Sequence, residues 1–187
     1  MKFRFHWLRK YTELCRYLVT AVGLNVPLIF LIIMRDVKNV GWSELTYVYI
    51  FSVIIGYYGL PLLLLNLLIS PLSFVHRKLA IYCSGMINMV FVYYLLIDSF
   101  VFDIAKFHID FFWLEWIIDD YKGLGLPTNA LYFGLIALLL IIALEIGVFA
   151  LARRIWKIRY VDLAVTLSIV LCFGISQTIH IFAYERN

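Results

Sequence analysis

Five long apolar stretches constrain this chain more than any other feature of its sequence. They cover residues 17–34, 45–69, 79–97, 130–152 and 161–183. Each is close to or longer than the roughly 20 residues that an α-helix needs to cross about 30 Å of hydrocarbon. A β-barrel is excluded because the stretches lack the alternation of apolar and polar residues that barrel strands show. We therefore predict an all-α integral membrane protein, a single domain of five transmembrane helices over residues 1–187.

The composition supports this class and excludes others. Of the 187 residues, 64% are hydrophobic and 15% are charged, whereas soluble domains hold about 45–50% apolar and about 25% charged residues. The net charge of +4 is too small for a surface that follows nucleic-acid phosphates, so we expect no nucleic-acid partner. The three cysteines form no CxxC pair and indicate neither a disulfide framework nor a zinc site. We expect no metal and no cofactor.

The basic residues between the spans predict how the helices are oriented. Most of the 16 Lys and Arg residues lie before span one, between spans two and three, or between spans four and five. The positive-inside rule places these segments in the cytoplasm, so the N-terminus is predicted inside and the C-terminus outside. The basic run after span four also suits the headgroups of acidic phospholipids such as cardiolipin. That run comprises Arg153, Arg154, Lys157 and Arg159.

Residues 98–129 form the longest segment between spans and are rich in aromatic side chains. We predict a short amphipathic helix in the outer interface, because one polar stripe recurs there at helical spacing. The stripe comprises Asp103, Lys106 and Asp110. His108 and Glu115 fall on the other side, where they would meet a lipid headgroup. An aromatic belt that only sets the depth of the segment, and a catalytic His–Glu pair, are the alternatives.

Polar side chains inside the spans are costly and often functional. Glu145 in span four has a structural interpretation, as a hydrogen-bonded carboxyl group inside the bundle. The alternative is a proton or ion relay. Asn25, Asn66 and Asn88 place one amide in each of spans one, two and three. For these amides we expect hydrogen bonds between helices.

Small residues predict where the spans pack closely. In span five, small and polar side chains recur every four residues over 164–180, so this face should contact a neighbour. Ala143 and Gly147 of span four offer a matching strip. In span two, the segment from Gly56 to Pro61 predicts a kink, because proline removes a backbone hydrogen bond and its ring crowds the preceding turn.

The outer ends of spans three and five carry polar residues that we predict to form one cluster. Span five brings Ser176, Gln177 and His180 toward the external water, and Asp98 follows span three. Phe107, His108 and Glu115 of the external segment are assigned to the same cluster. A site for a lipid or a protein partner is the functional interpretation of this cluster. Helix packing alone is the alternative.

Three segments resemble one family. They read LLIDSFVFDIAKFHIDFFWLEWIID after span three, LIIALEIGVFA in span four and SQTIHIFAYERN at the end of span five. Together they resemble the five-helix membrane domain of inner-membrane, sulfatase-like proteins of the alkaline-phosphatase superfamily, the YejM/PbgA type. The positions that match the family's motif are Asp98, Phe107, His108, Glu145, Ser176, Gln177 and His180. Where the family tends to have Ala-Asp after the last motif, this chain has Ala183-Tyr184.

The resemblance implies a non-catalytic domain in the bacterial inner membrane that binds lipopolysaccharide or an acidic phospholipid. It also implies docking of an inner-membrane protein partner and regulation of lipopolysaccharide and outer-membrane lipid homeostasis. A soluble extracytoplasmic domain is expected after Asn187. One alternative is the membrane anchor of a lipid headgroup transferase or hydrolase, of the phosphoethanolamine or phosphoglycerol transferase type, whose catalytic domain would follow. Another is a small transporter that uses Glu145.

Overall fold

The structure, a computed structural model, describes residues 2–37, 43–106, 108–109 and 129–185. Its helices are α1 (Lys2–Asp36), α2 (Glu44–Ser52), α3 (Gly59–Ile69), α4 (Arg77–Ala105), α5 (Ala130–Ile155) and α6 (Val161–Glu185). A π-helical turn (Val53–Tyr58) joins α2 to α3, and a 3-10 turn (Ser70–Phe74) follows α3. The chain from α2 to the 3-10 turn forms one span. The described residues thus contain five helices long and apolar enough to cross a membrane, and the predicted fold class is confirmed.

The first helix is the centre of the bundle. α1 packs against α3, α4, α5 and α6, and 44% of its most apolar segment is buried, against 11% in α6. α5 packs on α1 and α4, whereas α6 packs on α1, α2, α3 and the π-helical turn. The two last helices therefore diverge onto different sides of α1 after the short turn that joins them. We call the end of the bundle that holds this turn and the 3-10 turn the basic end, and the opposite end the far end.

The predicted contact between the small strips of spans four and five is wrong. Ala143 and Gly147 of α5 are exposed, and no atom lies within 4 Å of a Cβ placed on Gly147. Two residues of the predicted strip of α6, Ala164 and Ser168, are also exposed. The strips cannot meet because α5 and α6 pack on different sides of α1.

Glycines on the neighbours of α6 allow its close packing instead. Val165 of α6 lies against Gly23 of α1, and Ile169 lies against Gly59 of α3. Gly56 comes closest of all, because a Cβ placed on it would overlap the backbone N and Cα of Phe173. The two backbones touch there, and no side chain fits between them.

The irregularity predicted around Gly56 and Pro61 is the π-helical turn. Pro61 has no N–H to donate to the carbonyl of Tyr57, and its ring crowds that carbonyl. The turn before it widens to π-helical geometry over Val53–Tyr58. This places Gly56 directly beneath α6.

The first helix begins earlier than the apolar stretch that predicted it. The apolar stretch starts at residue 17, but α1 starts at Lys2. The charged residues 2–16, which we call the lead of α1, continue the helix toward the N-terminus. Arg9 Nε lies 3.1 Å from Glu13 Oε1, one turn along the same helix. Such a pair at i, i+4 stabilises a helical lead of this kind.

The predicted boundary at Asp98 is wrong, because α4 continues to Ala105. The helix ends at Lys106, which adopts the left-handed conformation with φ 62° and donates its N–H to Phe102 O. The prediction of a separate interfacial helix with Asp103 and Lys106 in one stripe is therefore also wrong at the start of that helix, since Asp103 belongs to α4. Asp110 and the rest of the segment to residue 128 lie outside the described residues.

We expect Gly56→Ala to lower the free energy of unfolding by about 3 kcal/mol, because the added methyl group would meet the backbone of α6. Gly174→Ala is the matched control, since no atom lies within 4 Å of its Cβ position. It should change stability by no more than about 1 kcal/mol. Unfolding followed by tryptophan fluorescence in detergent measures both. Equal stability of the two variants would contradict the close contact.

Candidate functional site

A lateral groove lies between α4 and α5, with α1 as its floor, and has a volume of about 400 Å³. Residues on successive turns of α4 and α5 line the groove. The lining residues are Tyr17, Ile81, Tyr82, Gly85, Met86, Met89, Ile142, Glu145, Ile146, Phe149, Ala150 and Arg153. Tyr82, Met86 and Ile146 at its rim are 67%, 63% and 67% exposed, so the groove opens sideways from the bundle. We call it the α4/α5 groove.

The floor of the α4/α5 groove is held rigidly. The Tyr17 hydroxyl donates to Phe149 O at 3.1 Å, and the two rings meet edge to face with centroids 5.8 Å apart. This contact fixes α5 against α1. Gly85 of α4 contributes no side chain, and only the Phe149 ring lies within 4 Å of its Cβ position, at 3.8 Å. The missing side chain is what leaves the space open.

Two ionisable side chains lie on the α5 side of the groove. Glu145 and Arg153 are eight residues apart on one face, which separates their backbones by about 12 Å. Glu145 is 5% exposed, and one of its carboxyl oxygens accepts a hydrogen bond from Asn25 Nδ2 at 3.4 Å. The other oxygen, and Asn25 Oδ1, have no partner among the described residues. An unsatisfied buried polar atom costs about 1–3 kcal/mol, so this pair marks a place where a further hydrogen-bonding group would be stabilising.

Arg153 belongs to a basic cluster at the end of α5. All four predicted headgroup residues are exposed there: Arg153, Arg154, Lys157 and Arg159. None of them takes part in an ion pair between described residues. The acid closest to them in sequence, Asp162, is occupied by Arg16 at 3.1 Å, and Arg16 also donates to Ile158 O at 3.3 Å. The basic cluster is thus left with its positive charge available to an external anion.

At the far end, Asp98 holds the chain as it leaves α4. Asp98 Oδ2 lies 2.8 Å from His108 Nδ1, and Asp98 Oδ1 accepts the Ile109 N–H at 2.5 Å. The His108 ring stacks on Phe102 with centroids 4.4 Å apart, and the Tyr94 hydroxyl donates to Ile109 O at 2.6 Å. The carboxyl of Asp98 is therefore engaged in folding the segment back onto α4. His108 remains exposed.

Of the predicted outer cluster, the structure brings Asp98 and His108 together but not Asp98 and the polar residues at the end of span five. His180 is exposed and lies beside α2, lining a small cavity with Leu45, Thr46 and Tyr49. Ser176 is buried and donates to Phe173 O in its own helix at 2.8 Å, while Gln177 is half-buried. Asp98 and the polar residues at the end of α6 lie apart because α6 packs on α2 and α3, whereas Asp98 belongs to α4. Phe107 and Glu115, also assigned to this cluster, lie outside the described residues.

The remaining intramembrane amides join spans two and three. Asn66 Nδ2 donates to Asn88 Oδ1 at 2.6 Å and to Leu62 O at 2.8 Å. The Ser84 hydroxyl donates to Asn66 Oδ1. All three polar side chains are fully buried. They form a hydrogen-bond network that fixes the rotation of α4 relative to α3.

Sequence reasoning found the polar residues but missed the groove. The sequence of span three does indicate a groove, because Gly85, Met86 and Met89 place a missing side chain and two flexible side chains on one helical face. Tyr17 carries no such signal, because its partner is a backbone carbonyl of another span. Among the described residues, no three His, Cys, Asp or Glu side chains come together as a metal site would require.

Among the described residues, five apolar spans, four of them packed around a buried first helix, with polar pairs at the crossings, define a multi-pass membrane domain. The chain belongs to the family described as domain of unknown function DUF3413, whose model matches residues 6–186. A search of curated proteins found no match.

We expect Asp98→Ala to speed hydrogen exchange of the Ile109 amide about tenfold, because that amide loses its carboxylate acceptor. Asp103→Ala is the control, since Asp103 is engaged by Arg35 and has no bond to residue 109. It should leave the Ile109 amide unchanged. Exchange measured by NMR in micelles tests both, and unchanged exchange in Asp98→Ala would show that the carboxylate does not hold the segment.

Proposed function

We propose that this membrane domain is a non-catalytic lipid-binding module, which takes the acyl chain of an anionic envelope lipid into the α4/α5 groove. The headgroup would lie on the basic cluster at the end of α5. The observation that carries the proposal is the groove itself, which is mostly apolar, opens sideways and ends at Arg153. Membrane lipid is the medium that such an opening faces.

The dimensions of the groove support an acyl chain as its occupant. Its lining on α5 extends from Ile142 to Arg153, which corresponds to about 16 Å of helix. This is about half of a hydrocarbon core of about 30 Å. A chain from one leaflet would therefore fill the groove with its headgroup at the basic end.

The charge pattern supports an anionic headgroup. Each exposed Lys or Arg near an anionic membrane surface contributes about 1 kcal/mol of attraction. Arg153 is the member of the basic cluster that lines the groove, and its planar guanidinium suits bidentate binding of a phosphate. The cluster also fits its predicted role in setting the orientation of the helices.

The resemblance to the YejM/PbgA type extends the proposal. It suggests lipopolysaccharide or an acidic phospholipid such as cardiolipin as the lipid, and an inner-membrane protein as the partner. The role would be regulation of lipopolysaccharide and outer-membrane lipid homeostasis in the bacterial inner membrane. The exposed His108 on its Asp98 support is a candidate contact for a headgroup or partner at the far end.

Two other functions compete with this proposal. A membrane anchor for a lipid headgroup transferase or hydrolase would need a catalytic domain, and the reading frame beyond Asn187 would show its nucleophile and metal ligands. A transporter would need polar groups in series across the membrane. Glu145 has Asn25 beside it, and no other Asp or Glu among the described residues lines the groove.

We expect Arg153→Gln to reduce the amount of anionic phospholipid that co-purifies with the protein about tenfold, because a charge-assisted contact to the headgroup is lost. Arg154→Gln is the matched control, since Arg154 is the next residue, equally charged and outside the lining. Mass spectrometry of the retained lipids measures both. If both variants lose lipid equally, the basic end acts only as general surface charge.

Gly85→Leu should displace the acyl chain, because the new side chain would occupy the groove beside Phe149. The protein should remain folded and retain several-fold less lipid. Gly174→Leu places the same side chain on an open face and should retain lipid like the wild type. Lipid retention that is unaffected by Gly85→Leu would exclude the groove as the binding site.

The proposed orientation is tested separately. A phosphatase reporter fused after Asn187 should be active, because the positive-inside rule places the C-terminus in the periplasm. The same reporter fused in the turn between α5 and α6 should be inactive. The reverse pattern would overturn the orientation and leave the lipid-binding proposal in place.

A further inference from the structure

A further cavity, of about 280 Å³, lies at the basic end between the N-terminal part of α1, the 3-10 turn and the first turn of α4. Its side chains come from three separate elements. They include Lys10, Tyr11, Ser73, Phe74, His76 and Arg77. We call it the basic-end pocket. It is distinct from the α4/α5 groove, with which it shares no lining residue.

The apolar wall of the basic-end pocket is rigid. The rings of Tyr11 and Phe74 stack with centroids 4.8 Å apart and an angle of 14° between their planes. The Tyr11 hydroxyl also bonds to Ser70 Oγ at 2.9 Å, and Ser70 is fully buried. The stack therefore holds the lead of α1 against the 3-10 turn and fixes the shape of the pocket.

The polar groups in the pocket are donors. His76 Nδ1 accepts the Leu79 N–H at 3.4 Å, so the proton of its neutral ring lies on Nε2 and is free to be donated. Ser73 Oγ is buried without a partner among the described residues. Lys10 and Arg77 are exposed cations that take part in no ion pair between described residues.

No carboxylate balances these donors. The lining contains no Asp or Glu, and Glu13, in the turn of α1 that follows Lys10, is paired with Arg9. The pocket also lies at the positive end of the α4 helix dipole, since α4 begins at Arg77. A site made of two cations, a ring N–H and a hydroxyl is complementary to a group with several anionic oxygens.

We propose that the basic-end pocket is a binding site for a phosphate group. Lys10 and Arg77 lie at the ends of two candidate membrane spans, which begin at Leu8 and Arg77. This is the depth of lipid headgroups, so a phospholipid in the leaflet at the basic end is one source of the phosphate. A soluble phosphate compound is the other. The site does not depend on lipid binding in the α4/α5 groove.

The test compares two lining cations with their sequence neighbours. Lys10→Gln and Arg77→Gln remove charge from the pocket, while Arg9→Gln and Lys78→Gln remove the same charge one residue away, outside the lining. All four are made in Arg153→Gln protein, so that the α4/α5 groove does not contribute its headgroup contact. Binding of dioctanoyl phosphatidic acid in detergent is measured by thermophoresis, with dioctanoyl glycerol as the lipid that lacks the phosphate.

We expect Lys10→Gln and Arg77→Gln each to weaken binding of the phosphatidic acid about tenfold, and the two neighbours to weaken it less than about twofold. Competition by inorganic phosphate would support the site and identify the phosphate group alone as sufficient. Failure of inorganic phosphate to compete, with the lining variants still defective, would support the site and identify a lipid as the source. Equal losses in all four variants, or binding of dioctanoyl glycerol as tight as that of the phosphatidic acid, would overturn the proposal.

Discussion

The absence of water inside the membrane is the constraint on which the rest of this structure depends. A polar side chain in a span is therefore stabilised when it finds a partner in another helix or in its own backbone. Asn66 finds its partners in Asn88 and Ser84, across the crossing of α3 and α4. Because Ser84 and Asn88 face inward, Tyr82 and Met86, each two residues away along a helix of 3.6 residues per turn, face outward. The buried network thus determines which face of α4 borders the groove.

The five spans could be predicted because hydropathy over about 20 residues depends on the sequence alone. The three asparagines and Glu145 within them could also be predicted, since an amide or carboxyl group in such a run is conspicuous. Their partners could not. The pairing of Asn25 with Glu145 depends on α5 packing against α1, and that arrangement is a property of tertiary packing.

The wrong predictions share one cause, which is that hydropathy and spacing describe one span at a time. Asp98 ends an apolar stretch but not its helix, because the polar turns beyond it are stabilised by contacts such as the ion pair of Asp103 with Arg35. The stripe of small residues on span five indicates close packing, but the glycines that receive α6 lie on α1, on α3 and in the π-helical turn. The sequence around Gly56 predicts a kink, whereas the role of this glycine is also to let two backbones touch. A single sequence does not show which neighbour a glycine serves.

The position of Glu145 gives the α4/α5 groove its polarity. The carboxyl group lies about halfway through the span and is shielded by α1, while the basic cluster lies at its end. An acyl chain in the groove would therefore pass from the cationic end to a polar floor, where one Glu145 oxygen has no partner among the described residues. A lipid with a saturated chain would contact the basic residues and the apolar walls but would leave that oxygen unpaired. A lipid with a hydroxyl or amide group at this depth would form a hydrogen bond with it. If the groove binds lipid as proposed, it would distinguish between lipid tails as well as between headgroups, through residues that lie about 12 Å apart on one helix.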